Sequence, residues 1–311
     1  PVVMRTNFTN NVLQNQLIEL GSIPGATASN RLTLDGQGDT LRMTPSSTHP
    51  TTLRLNGSKY VNVRNFVFDG AGNSTFSQIW LHNVDTVNIV NNHFNMAPSS
   101  IFNRSVYLSA QAASDVASRS NALRIDSNVF VGGMERAIHL AGSVNSPSRH
   151  LQIRHNFMRP SVSGIQVDAI DTGSIAYNDI SITPIGPFVN QAIAILIESA
   201  NGQTHINNNR IHNFELSQGN PVNLKMGINI SNASAAHSRV YIYNNLIYAL
   251  QTSGFQYGIS INAGINGDIA FNTIHLTDTF STGTCFGIAI SGTGSGWHIR
   301  SNNIAIEKAL G

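Results

Sequence analysis

The run VNIVNNHF (87–94) comes back seven times in closely related form. It recurs as LRIDSNVF (123–130), LQIRHNFM (151–158), GSIAYNDI (173–180), THINNNRI (204–211), VYIYNNLI (240–247), GDIAFNTI (267–274) and WHIRSNNI (297–304). Each copy sets an asparagine three residues after an isoleucine. These asparagines fall at 92, 128, 156, 178, 209, 245, 272 and 302, with gaps of 22 to 36 residues. A degenerate earlier copy, VNVRNFVF (61–68), carries Phe66 in the asparagine's place. Self-similarity at a period near thirty residues is the mark of a stacked array, which grows along one axis without needing a second core. The length of 311 residues therefore does not call for two domains.

Within the motif, written φ-x-φ-x-x-N-x-φ, the first apolar positions alternate with mostly polar ones, the period of a strand with one buried face. Asparagine tolerates left-handed backbone and its amide can bond neighbouring peptide groups, so each Asn is expected at a bend, stacked on the Asn of the next coil. A leucine-rich repeat shares part of this pattern. Its fuller consensus requires a Leu three residues earlier; Val84 and Ile170 could stand in for it, but elsewhere that place holds Ser120, Ser148, Asn201, His237, Gly264 and Gly294. A second strand-like run also precedes each motif: TLRL (52–55), IWLH (79–82), VYL (106–108), AIHL (137–140), GIQV (164–167), ILIE (195–198), GINI (227–230), GISI (258–261) and GIAI (287–290). Two strands before the corner and a short one after it give three strands per coil. The expected fold is all-β: a right-handed parallel β-helix of about nine to ten coils in a single domain spanning 1–311. Residues 1–29 form an N-terminal cap region and 30–306 the coils; Val12, Leu13, Leu17, Ile18 and Leu20 lie near helical spacing within the cap.

These motifs, over roughly residues 30–306, resemble the right-handed parallel β-helix proteins of the pectate-lyase-like superfamily. The resemblance implies the fold and a ligand lying along the first strand row (the G-I-x-I strands), walled by the flanking loops; it says little about the reaction. The paired-Asp and Gly-His-Gly motifs of polygalacturonases, the Arg-rich pattern of pectate lyases and the Asp-Pro-His-Asp run of alginate epimerases are absent.

Composition narrows the setting. Apolar residues make up 41% of the chain and charged ones 11%, with a net charge of +2. Lysine occurs only at 59, 225 and 308, and Cys285 is the single cysteine, which excludes an intrachain disulfide framework or a Cys-based metal site. No basic run or aromatic–Gly motif points to nucleic acid, and no apolar stretch is long enough to span a membrane. A Lys-poor, Asn/Ser/Thr-rich chain opening on PVVMRTNFTNNV, without a signal-peptide pattern, is expected to be a mature secreted or cell-surface protein.

Length variation concentrates in the loops beside strand one, at 109–122, 141–150, 181–192, 212–226, 248–257 and 275–286, which points to a groove there. Alternation gives one outward row of Arg54, Trp80, Tyr107, His139, Gln166, Leu196, Asn229, Ser260 and Ala289. A second holds Asn56, His82, Ser109, Ala141, Asp168, Glu198, Ser231, Asn262 and Ser291. Trp80, Tyr107 and His139 would form a ring ladder at about 4.8 Å spacing, suited to sugar faces or simply to covering the sheet. Asp168 and Glu198, about 5 Å apart on adjacent coils, would repel by roughly 1–3 kcal/mol. A raised pKa, a basic neighbour or a bound cation must relieve that repulsion. The pair suits the two carboxyls of a retaining glycosidase or oxygen ligands of Ca²⁺, with Asp171 extending it; the plain alternative is two solvated carboxylates. Arg136, His139, Arg149, His150, Arg154, His155 and Arg159 form a basic set without an evident common site.

The expected function is engagement of a polysaccharide or other glycan along strand one, as a lyase or glycoside hydrolase. Asp168 and Glu198 would be acid/base groups or cation ligands and His139 a proton carrier. Arg54, Trp80, Tyr107, Gln166, Asp171 and Asn229 would be substrate contacts. The alternative is a non-catalytic adhesin or stalk module. The glycan and the oligomeric state are not legible in the sequence.

Overall fold

The computed structural model describes residues 2–5, 12–44, 46, 50–70, 76–97, 103–109, 119–142, 145–183, 191–215, 224–231, 238–250, 254–262, 266–278, 284–292 and 296–308. Among them there is no helix: strands stack in three parallel sheets of eleven, eleven and ten members. Strands one, two and three of each coil join separate sheets, so every strand pairs with its counterparts in the coils before and after it. This is a parallel β-solenoid, and the helix-backed leucine-rich repeat is excluded.

The periodic residues build the core. In the strand-two sheet Ile89, Ile125, Ile153, Ile175, Ile206, Ile242 and Ile269 lie in register, each with 0% exposure. Ile299 continues the row but is 52% exposed, because no described coil covers it; the expectation that it is enclosed is corrected. Facing them, the strand-three row runs Phe68, Phe94, Phe130, Met158 and Ile180, with the phenyl rings stacked at 4.9 and 4.7 Å. Each residue is buried against the apolar residues at the same place in adjoining coils, so burying one large apolar side chain, about 1.5–3 kcal/mol, is repeated down the stack.

The asparagine ladder forms, with one correction. The left-handed residue is the one before each ladder asparagine: Asn91, Ser127, His155, Tyr177, Asn208, Asn244, Phe271 and Ser301, with φ between 50° and 58°. The bend turns the following Asn inward, where Asn92, Asn128, Asn156, Asn178, Asn209, Asn245 and Asn272 are at most 2% exposed. The near-helical spacing of Val12 to Leu20 is not realised either. Val12–Gln14 and Ile18–Leu20 are strands that pair with Thr40–Met43 and Thr51–Asn56, which packs Leu13, Ile18 and Leu20, partly buried, against the core.

The glycine of G-I-x-I has a separate cause. Strand one breaks its alternation: Gly258 and Ile259 both face inward, as do Gly164–Ile165 and Gly227–Ile228. A Cβ on Gly258 would sit 2.6 Å from Ile274 Cγ2 and 2.5 Å from the Gly287 carbonyl oxygen. Ser105, Ala137 and Ala194 occupy the same place in neighbouring coils, so from Ser105 onward it holds only small residues, while the earlier coil seats the buried Gln78 there. Gly258→Ala is therefore expected to destabilise by about 1–3 kcal/mol through overpacking; an unchanged denaturation midpoint would contradict it.

Candidate functional site

The register confirms the first outward row from Arg54 through Trp80, Tyr107, His139, Gln166, Leu196, Asn229 and Ser260 to Ala289. Asp168 and Glu198 directly follow the paired residues Val167 and Ile197, which places them side by side on adjacent coils. Because Gly258 and its equivalents turn inward, the alternation read from the sequence misses a further outward row. It holds Arg104, Arg136, Ser163, Ile193, Met226, Tyr257 and Phe286. The signal was the recurrent small residue before the inner apolar one, which shifts the phase.

The carboxylates meet through one amide. Gln166 Nε2 donates to Asp168 Oδ1 at 2.9 Å and to Glu198 Oε1 at 3.0 Å. Two hydrogens on one nitrogen thus hold the two carboxyl oxygens within about 6 Å of each other. Both side chains are half-buried. Burial, and then the charge of Asp168, push the Glu198 carboxyl above its ordinary value, against weaker opposition from Arg136 and Gln166. The expected repulsion is therefore met by a raised pKa on one partner and an amide between them.

His139 lies on the other side of Asp168, its Nε2 3.2 and 3.3 Å from the two carboxylate oxygens. Its Nδ1 accepts from Arg104 Nε at 2.9 Å, with Arg136 Nη1 at 3.4 Å. An arginine only donates, so Nδ1 is the acceptor and the proton sits on Nε2, aimed at Asp168. Burial lowers the His139 pKa; Asp168 opposes this, while Arg136 and Arg104 reinforce it. The geometry makes His139 an orienting neutral donor, with both ring nitrogens engaged, which argues against the expected proton-carrier role. Arg136 is itself paired with Glu135 at 3.0 Å.

The rings do not form one flat ladder. The Arg54 guanidinium covers Trp80 at 4.2 Å from the ring centroid, and Arg104 covers Tyr107 at 4.5 Å. Tyr107 is tilted 34° to His139. Trp80 and Tyr107 instead line a recess of about 130 Å³ with Pro50, Phe76 and Arg104. Asn229 lines a different recess, of about 530 Å³, on later coils, where Tyr257 and Phe286 stack at 5.0 Å. Asp171 does not join the pair: it holds Arg149 at 2.9 Å. The basic set is dispersed, since His155 bonds Asp126 and stacks on Tyr177 while Arg159 covers Phe157. Among the described residues no three His, Cys, Asp or Glu side chains are grouped to hold a metal ion. Much of the loops expected to wall the pair, 184–190 and 216–223, lies outside the described residues.

No family model matches the chain, and no curated protein is similar to it in sequence. Among solved structures, the GH136 lacto-N-biosidase from Eubacterium ramulus is similar, with a TM-score of 0.47 and 11% identity. The similarity covers 96% of this chain, which spans 61% of that protein's chain. No helix among the described residues is long and apolar enough to cross a membrane.

Proposed function

We propose that this chain is an exported glycoside hydrolase of the pectate-lyase-like superfamily that engages a glycan along its strand-one face. The observation that carries the reading is the Gln166 amide shared by Asp168 and Glu198. It sets a carboxyl separation close to the roughly 5–5.5 Å of retaining enzymes. Glu198, its pKa raised, supplies a proton to the glycosidic oxygen. Asp168, ionised and oriented by His139 and Gln166, attacks the anomeric carbon as the leaving alcohol departs. Glu198 then takes a proton from water, which displaces Asp168 from the glycosyl ester and regenerates both groups. The recess at Trp80 and Tyr107 offers a sugar face on one side of the pair, and Asn229 with its recess a polar contact on the other.

The test is incubation with a panel of neutral and acidic polysaccharides, following new reducing ends and unsaturated ends separately. Reducing ends alone, with retained anomeric configuration, are expected. Unsaturated ends would replace the hydrolase with a lyase, and binding without cleavage would favour the adhesin or stalk reading. Ca²⁺ bound by Asp168 and Glu198 would show as activity lost to a chelator and restored by calcium. Because Glu198 acts protonated, the alkaline limb of kcat/KM against pH is expected above an ordinary glutamic acid's pKa, the direction in which burial and Asp168 move it. A limb at or below the ordinary value would remove Glu198 as the acid.

A further inference from the structure

One recess lies off the strand-one face. It has a volume of about 820 Å³ and opens at the turn between strands one and two, across four successive coils. Lys59, Asp85, Arg119, Asn121, Asn145 and His150 are among its lining residues. Coils about 4.8 Å apart make such a wall roughly 14 Å long. The wall is built: Tyr60, Thr86 and Ala122, all left-handed, donate their backbone N–H to the next coil's Asp85, Asn121 and Arg149 carbonyls at 3.0, 2.7 and 2.9 Å. Val84–Asp85 and Ser120–Asn121 add a short parallel ladder of their own.

Its charges are unevenly matched. Asp85 Oδ1 accepts from Thr86 Oγ1 at 2.8 Å and from Asn121 Nδ2 at 2.9 Å, and Arg149 is held by Asp171. The Lys59 ammonium and the Arg119 guanidinium have no hydrogen bond or ion pair with any described residue. Two open cations over a concave, amide- and hydroxyl-lined wall suit an oxyanion on a hydroxyl-rich body. The lining contains no Trp, Tyr or Phe on which a nucleobase could stack.

We propose that this recess is a second carbohydrate site, selective for glycans bearing sulfate or carboxylate groups, with Arg119 and Lys59 holding the anion. It stands apart from the carboxylate pair and does not depend on the hydrolase reading.

The test is calorimetric titration of the full chain with four probes. These are a sulfated oligosaccharide, a uronate oligosaccharide, the desulfated counterpart and inorganic sulfate; a single-stranded oligonucleotide serves as a competitor. Both charged sugars are expected to bind more tightly than the desulfated one, with affinity falling as salt rises. Lys59→Gln/Arg119→Gln is expected to weaken them about 10- to 100-fold, and Arg119→Glu to do the same by charge reversal. Both residues are exposed, so melting temperatures should not change. Asp168→Asn should leave this binding intact, which separates the site from the catalytic proposal. The proposal is overturned by equal affinity for charged and desulfated sugars, or by binding that survives both variants. Inorganic sulfate binding as tightly as the oligosaccharide, or an oligonucleotide outcompeting it, would also overturn it.

Discussion

Glu198→Gln should lower glycan cleavage by about 10²- to 10⁴-fold, the share that a positioned acid contributes, and Asp168→Asn, which removes the attacking carboxylate, by at least as much, with the solenoid intact. The stability side follows from linkage. The folded chain raises the Glu198 pKa, so it favours the protonated form. Ionising Glu198 therefore costs stability: nothing below the ordinary carboxyl pKa, increasing as pH climbs to the raised value, and constant above it. Once pH exceeds the raised value that cost is fully present. Glu198→Gln removes it, and a gain of a few tenths to about 1 kcal/mol is expected, since both groups remain half in contact with water. The gain should vanish in acid, where wild-type Glu198 is already protonated. Paired activity assays and melting curves at neutral and acid pH check this. Full activity in both variants would turn the reading to a binding module, and a neutral-pH loss of stability would mean that the pair is a structural cross-link.

Asn209→Leu is expected to destabilise by at least about 1–3 kcal/mol, the cost of leaving the buried Asn178 N–H unpaired. Asn209 Oδ1 accepts from the backbone N–H of Asn178 at 3.0 Å and from its amide at 3.0 Å. Its Nδ2 donates to the Ile175 carbonyl at 2.9 Å and to Asn245 Oδ1 at 3.0 Å. A leucine has the wrong chemistry for all four contacts and sits where water has no access. Asn302→Leu offers an internal comparison. That residue is partly exposed and bonds only toward the preceding coil, so water can replace part of what is lost and the cost should be smaller. Chemical denaturation of both variants reads the difference; equal, negligible shifts would mean that the ladder does not hold the corner.

The fold was legible because its determinants are local and repeated. An inward Ile every coil, an Asn three residues later and a small residue before the next inner Ile each impose a backbone state that the adjoining coil copies. The two outward rows could be counted from alternation for the same reason, and Asp168 and Glu198 do lie together. The place of the left-handed bend was off by one: the Asn is conspicuous because it is buried and bonded, while the strained φ falls on the varied residue before it, from Asn91 to Phe271.

What only the tertiary structure decided concerns side chains that meet across coils. Arg104 reaches His139 from the preceding coil, and Arg136 from its own strand, because Ser105 and Ala137 turn inward and shift the phase of strand one, which no reading by simple alternation detects. The tautomer of His139 and the hold of the Gln166 amide on Glu198 follow from contacts between residues 29 to 35 positions apart. The recess at Lys59 and Arg119 needs four turns stacked in register. The sequence by itself determined the period, the buried face and the corner, since each is a property of one coil. The site belongs to distances between coils, and those exist only once the coils have stacked.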